Sequence, residues 1–198
     1  TTAGERVQNH QRTAQAAWAW ALEDEQRSDP FLACWGRGSG KSTNVEAIVA
    51  ALSARRRRRY CLFVCATQDQ ANDHVADIGR RLSADWFERF YPEAAKPKVG
   101  KYGEKRGWNR TRLAAENGFT VDAVGLDTAM RGIKIDADRP DVIVADDVDR
   151  GADSAKVTDR KMVHLTQDLL PTMAPHGVVL AVQNLVLPNG IFARIMGV

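Results

Sequence analysis

Short apolar runs along this chain alternate with stretches in which apolar positions recur every three or four residues. Residues 31–35 (Phe-Leu-Ala-Cys-Trp), 60–66 (Tyr-Cys-Leu-Phe-Val-Cys-Ala), 142–145 (Val-Ile-Val-Ala) and 178–182 (Val-Val-Leu-Ala-Val) are continuous and of strand length. Such runs predict strands buried on both faces. Residues 119–124 alternate instead and predict a half-exposed strand. Between these runs, 42–54 has helical composition, 70–82 sets Ala71, Val75, Ile78 and Leu82 at helical spacing, and 154–170 reads as a helix ended by Pro171. An Ala- and Gln-rich helix is expected over 5–25, with Trp18, Trp20 and Leu22 available to pack, before Asp29-Pro30 breaks it. Residues 92–118 are polar and rich in Lys, Gly and Pro, which predicts an irregular excursion. Strands alternating with helices imply an α/β fold with a mainly parallel central sheet flanked by helices.

Bulk properties narrow the class only a little. The chain has 198 residues, 44% hydrophobic and 27% charged, with a formal net charge of +3. That suits one domain, and the balance does not by itself select a nucleic-acid partner. Cys34, Cys61 and Cys65 sit in strand-like runs and are expected as buried reduced thiols. The four histidines are scattered, without metal-ligand spacing. No apolar run approaches the ~20 residues of a membrane span, and no signal peptide is evident, so a cytosolic setting is expected. The chain starts without Met and stops after a helix-like Gly190-Ile191-Phe192-Ala193-Arg194, and it reads as a fragment of something longer.

The first chemistry lies between the strand at 31–35 and the helix at 42–54. Trp35-Gly36-Arg37-Gly38-Ser39-Gly40-Lys41-Ser42 is a glycine-rich turn leading into a helix. Glycines let backbone amides curl around phosphates, and the helix N-terminus adds its dipole. Lys41 would reach the β- and γ-phosphates, Ser42 would place its hydroxyl on Mg²⁺, and Thr43 continues the first turn. The expected ligand is therefore Mg²⁺ with ATP, in a P-loop NTPase. The pattern calls for Gly where this chain has Trp35.

The second chemistry is the pair Asp146-Asp147 after Val142-Ile143-Val144-Ala145. A carboxylate at the C-terminal end of a parallel strand projects into the crevice where ligands bind. Asp146 would hold Mg²⁺ and Asp147 would polarise the attacking water, with Asp149 in reserve. The run 60–66 lies between the glycine-turn strand and the acidic strand. That arrangement suits the additional-strand, RecA-like class, to which motor and helicase ATPases belong.

Taken together, the residues resemble a family. The chain is similar to the N-terminal ATPase domain of phage terminase large subunits, the motors that pump DNA into a procapsid. The likeness spans residues 31–194. Its stretches are Gly36 to Ser42 with Arg37, typical of these motors; Ala66-Thr67-Gln68-Asp69-Gln70-Ala71; Gly125-Leu126-Asp127-Thr128-Ala129-Met130-Arg131-Gly132 leading through Arg139-Pro140-Asp141 to Asp146-Asp147; and Val178 to Gln183-Asn184, which resembles the coupling strand. Two departures stand out: Asp147 where most relatives have Glu, and Gln183-Asn184 where many have Thr or Ser. The resemblance implies an ATPase that powers translocation of double-stranded DNA. It implies a homo-oligomeric ring on a portal protein, a small DNA-recognising subunit as partner, no membrane, and a setting in the host cytoplasm attached transiently to the procapsid. It also implies a ribonuclease-H-type nuclease domain after the ATPase domain, which residues 1–198 do not contain.

Weaker features take roles from the same likeness. Gln11, upstream of the glycine turn, would read the adenine edge, with Gln8 and Gln15 competing. Arg131 would act on the transferring phosphoryl group across a subunit interface, with Arg139 as alternative. Arg55 to Arg59 form a cationic helix end, read first as a solvated edge and second as a DNA contact. Lys96, Lys98, Lys101, Lys105, Arg106 and Arg110, interleaved with Tyr102 and Trp108, form another basic stretch open to DNA or a partner. The rival readings are a helicase-like translocase, which would need a second motor domain, and a nucleotide-binding switch without useful turnover.

Overall fold

The computed structural model describes residues 3–23, 29–105, 107–127 and 139–197, and of residues 3–10 the backbone only. The elements run α1 (Ala3–Leu22), β1 (Phe31–Cys34), α2 (Lys41–Arg55), β2 (Tyr60–Cys65), α3 (Gln68–Leu82), α4 (Asp85–Phe90), α5 (Pro92–Ala95), β3 (Arg112–Ala114), β4 (Thr120–Gly125), β5 (Val142–Asp146), α6 (Ala155–Val163), β6 (Val178–Gln183) and α7 (Ile191–Met196). Six strands form one sheet in the order β1-β6-β5-β2-β4-β3. All neighbours are parallel except β3, which pairs antiparallel with β4 at the edge. The chain is thus α/β with a mostly parallel sheet flanked by helices, and β6, late in sequence, lies between β1 and β5.

Side chains of successive strand residues point to opposite faces, so each buried strand feeds two cores. On one face Cys61, Phe63, Cys65, Val142, Val144, Leu180 and Val182 pack with Val45, Ile48 and Val49 of α2 and with Val75 and Ile78 of α3. On the other, Leu62, Val64, Ile143, Ala145 and Ala181 pack with Leu165, Leu169, Ile191 and Phe192. This is why the central runs lack polar alternation. Among the described residues no helix is long and apolar enough to cross a membrane.

Several local expectations are revised. The stretch 92–118 is not wholly irregular: α5 opens it with Pro92 in its first turn, and β3 closes it. The strand expected to be half-exposed does alternate, with Val121 and Val124 buried and Thr120, Asp122 and Ala123 partly exposed, and the Asp122 carboxylate accepts from the Tyr60 hydroxyl at 2.6 Å. The helix expected over 154–170 is regular only to Val163 and continues as a π turn over His164–Leu169 and a tight turn over Leu170–Thr172. Pro171 has no amide hydrogen to continue the helical ladder. The three cysteines are unpaired, but Cys34 is exposed rather than buried.

Asp149 ties the segment after β5 to α7. Its carboxylate accepts from the amides of Ile191 (2.8 Å) and Phe192 (2.9 Å), at the helix end where amides lack partners within the helix. A side chain at residue 190 would bring its Cβ within 2.6 Å of the same carboxylate, so glycine stands there. Removing the carboxylate in Asp149→Ala is expected to cost about 1–2 kcal/mol. In a chain of this size that lowers Tm by several degrees, measurable by thermal denaturation.

Candidate functional site

The glycine-rich turn joins β1 to α2 at the C-terminal edge of the parallel strands. The Trp35 amide donates to the Gln183 carbonyl at 2.8 Å, which pins the turn to β6. Gly38 and Gly40 hold φ of 71° and 72°, a conformation that side chains with a Cβ resist. Ser39 donates its hydroxyl to the Gly36 carbonyl. Gly40 immediately precedes α2 and has no side chain to cap it, and among the described residues no side-chain hydrogen bond to its first-turn amides occurs. Asn44 donates its side-chain amide to the Gly40 carbonyl at 2.9 Å and accepts from the Trp18 indole at 3.1 Å. That contact fixes α1 against the first turn of α2. Trp35, where the motif calls for glycine, is buried in the core.

Lys41 is the first residue of α2 and is only 7% exposed. Its ammonium is bonded to Asp146 Oδ1 and lies 2.6 Å from Asp147 Oδ1. The strand pattern explains the first contact. Val142, Val144 and Asp146 share the face covered by α2 and α3, so Asp146 arrives beneath Lys41 with no exposed surface. Had the strand continued, Asp147 would have pointed to the opposite face. Instead it adopts φ of 48°, the left-handed region, and its carboxylate also reaches Lys41. Asp and Asn enter that region at lower cost than most other residues, which gives a local reason for Asp at 147. Asp147 remains half-exposed, whereas Asp146 is sealed, and Asp146 Oδ2 is buried without a hydrogen-bond partner.

Behind the pair lies a cluster that the sequence pattern did not disclose. His74 Nε2 of α3 is 3.9 Å from Asp146 Oδ2, and His74 Nδ1 is 2.9 Å from Glu46 Oε1 of α2. Arg81 of α3 donates two hydrogen bonds to Glu46 Oε2, at 2.9 and 3.2 Å. The His74 ring stacks on Phe63 at 5.1 Å. Burial alone would raise the Glu46 pKa, but the hydrogen bonds and charges of His74 and Arg81 outweigh it and hold Glu46 below its ordinary value. Burial alone would depress His74, but the bond to Glu46 and the charges of Asp146 and Glu46 outweigh it and raise His74. The available signals were a carboxylate inside the apolar run of α2 and a His and an Arg two turns apart on α3.

Gln183 closes the other side of the site. It is buried at the end of β6, accepts from the Asp149 amide at 3.2 Å, and donates to the Asn184 carbonyl at 3.0 Å. The end of β6 thus touches both the glycine turn and the segment after the acidic pair. A cleft of about 280 Å³ opens beside Asp147, lined by Arg37, Gln70, Arg150, Gln183 and Asn184 among others.

The structure therefore brings Lys41, Asp146, Asp147, Arg37, Gln183 and Asn184 to one edge, with Ser42 half-buried and Thr43 exposed in the first turn of α2. Asp149, the reserve carboxylate, is committed to α7. Gln11 and Gln15 are exposed on α1, and the Gln8 side chain lies outside the described residues. Arg131 also lies outside them. Arg139 is exposed just before β5, at the opposite end of that strand from Asp146. The arginine run sits at that opposite edge too, where Arg56 pairs with Glu93 and Arg58 donates to the His176 carbonyl at 2.8 Å. In the other basic stretch Arg110 pairs with Asp73 at 3.0 Å and Lys101 lies over the Tyr102 ring, while Arg106 is outside the described residues. No group of three or more metal-ligating side chains occurs among the described residues. No protein-family model matches this chain, and no curated protein matches it.

The pKa directions set a stability window. With its pKa lowered on folding, Glu46 contributes stability above about pH 4.3 and loses it as pH falls through the folded value. With its pKa raised, His74 contributes stability fully below about pH 6.5 and loses it as pH rises through its folded value. The Tm difference between the wild-type chain and His74→Gln should therefore be largest near pH 5–6.5 and shrink above it. Thermal melts from pH 5 to 9 check this.

Proposed function

We propose that this chain is the ATP-hydrolysing motor domain of a viral DNA-packaging terminase large subunit. The observation that carries the ATPase reading is the single cluster in which Lys41, at the uncapped start of α2, meets Asp146 and Asp147 at the end of β5. β6 between β1 and β5 supports a P-loop NTPase of the additional-strand, RecA-like class. The resemblance of Arg37, the Arg131-Gly132 and Arg139-Pro140-Asp141 succession and the acidic pair favours a packaging motor over other members of that class.

In this reading the backbone amides of residues 36–42 cradle the phosphates, and the N-terminus of α2 adds a favourable field. Lys41 would be held next to the path of the β- and γ-phosphates by the carboxylates at the end of β5. One ammonium against two carboxylates leaves an excess of negative charge, which suits a bound divalent cation. The unpartnered, buried Asp146 Oδ2 fits this need, and Ser42 lies one residue after Lys41. Mg²⁺ usually takes only one or two protein ligands and fills its shell with phosphates and water, so a three-residue metal cluster is not required. Mg²⁺ would supply charge neutralisation on the β- and γ-oxygens. Asp147, half-exposed beside the cleft, would orient and polarise the attacking water.

Gln183 and Asn184 would carry the change at the phosphates outward, because β6 touches the glycine turn and the segment after the acidic pair. Double-stranded DNA, the portal, the small terminase subunit and a homo-oligomeric ring belong to the proposal. So do a trans-acting Arg131, adenine reading by Gln11 and work in the host cytoplasm on a procapsid.

Phosphate release by the purified chain tests the chemistry. Lys41→Ala should abolish nucleotide binding or turnover. Asp147→Asn should keep nucleotide affinity and lose roughly 10²–10⁴-fold in turnover. Asn tolerates the left-handed conformation at 147, so a loss of rate with unchanged Tm reports chemistry rather than folding. Normal turnover in a folded Lys41→Ala chain would sink the assignment. For Arg131, rings assembled from Asp147→Asn and Arg131→Ala chains should regain ATPase that neither has alone.

A further inference from the structure

The 280 Å³ cleft beside Asp147 is also lined by Arg150, which has no role in the chemistry above. It is smaller than the ~300–1,000 Å³ of sites that enclose whole small molecules. Arg37 and Arg150 line it from opposite sides in sequence: the glycine turn and the segment after β5. Both are exposed, and neither guanidinium has a hydrogen bond or ion pair among the described residues.

The carboxylates that would ordinarily neutralise Arg150 are taken. Asp147 is on Lys41, Asp149 accepts from Ile191 and Phe192, and Asp153 accepts from Lys161 at 2.6 Å. The same bonds immobilise the backbone that carries Arg150. Its amide donates to Asp153 Oδ2 at 3.0 Å, and its carbonyl accepts from the Asp153 amide at 2.9 Å. Lys161, itself buried, also donates to the Val148 carbonyl at 3.1 Å. Three anchors hold the segment 148–153, and its one arginine has no ion-pair partner among the described residues at the cleft. With the backbone beneath this guanidinium already fixed, an arriving anion has only the side chain left to order.

Resting on the ATPase reading, we infer that Arg150 is a cis-acting ligand of the terminal phosphoryl group, closing with Arg37 on the γ-phosphate at the cleft beside Asp147. A guanidinium matches phosphate oxygens with paired donors and stays charged at all working pH values. The contact is made within one chain, so it is separate from any arginine supplied by a neighbour. Because it touches only the last phosphate, it discriminates ATP from ADP.

The test is calorimetric titration of the 198-residue chain with Mg·AMP-PNP and with Mg·ADP, repeated at two protein concentrations. Arg150→Ala should lose about tenfold or more in affinity for AMP-PNP and keep its affinity for ADP and its Tm. Arg150→Lys should recover part of the loss, and the effect should not depend on protein concentration. A wild-type ratio of AMP-PNP to ADP affinity in Arg150→Ala overturns the inference, even if that variant loses affinity for a DNA duplex. In that case the cleft serves the DNA backbone instead. If the wild-type chain binds neither nucleotide while remaining folded, the ATPase reading itself falls, and this inference with it.

Discussion

A buried ammonium must be paired, and much of the site's geometry follows from how this chain pairs Lys41. An unpaired charge at that depth is so costly that the group would neutralise or the structure would open. The chain meets the requirement with two adjacent residues of one strand end. Adjacent strand residues point to opposite faces, so both can serve one cation only if the backbone turns sharply between them. The left-handed conformation of Asp147 is that turn. It brings a half-exposed carboxylate beside a sealed one, which places two groups of the same chemistry in different environments around one ammonium.

The ion cluster is supported from outside. Glu46 and His74 connect α2 and α3 directly behind Asp146, and Arg81 completes the charge balance on Glu46. On the other side, Gln183, Asp149 and Lys161 fix the segment after β5 through hydrogen bonds to backbone groups. The side chains facing the cleft thus stand on backbone that is already ordered. For the proposed role on highly charged phosphates, that matters more than any single contact, since preorganised dipoles and charges need not be rearranged when the ligand arrives.

The separate handling of similar residues follows the same logic. Three aspartates within four positions have three different roles in the fold: Asp146 is sealed under Lys41, Asp147 turns toward the cleft, and Asp149 caps α7. Their chemistry is the same and only their surroundings differ. The arginines divide in a similar way. Arg56 and Arg58 make bonds at the far edge of the sheet, Arg81 is bound to Glu46, and Arg37 and Arg150 line the cleft.

What the sequence determined by itself was local. Continuous apolar runs marked β2, β5 and β6, because a strand covered on both faces has no polar side to show; the run at β1 also marked a strand, but one at the sheet edge with Cys34 exposed. Three- and four-residue spacing marked α3, and a glycine cluster between strand and helix marked a turn needing positive φ at Gly38 and Gly40. The acidic pair after an apolar run was also plain to read. The tertiary structure decided everything that depends on which segments become neighbours. Lys41 and Asp146 are 105 residues apart in sequence, and they meet across a sheet in which β6, late in the chain, lies between β1 and β5. The approach of Asp147 to Lys41, the commitment of Asp149 to α7, and the recruitment of Glu46 and His74 behind Asp146 turned on face, burial and backbone turn. Those are properties of the packed sheet and its helices, and no spacing of residue types along the chain encodes them.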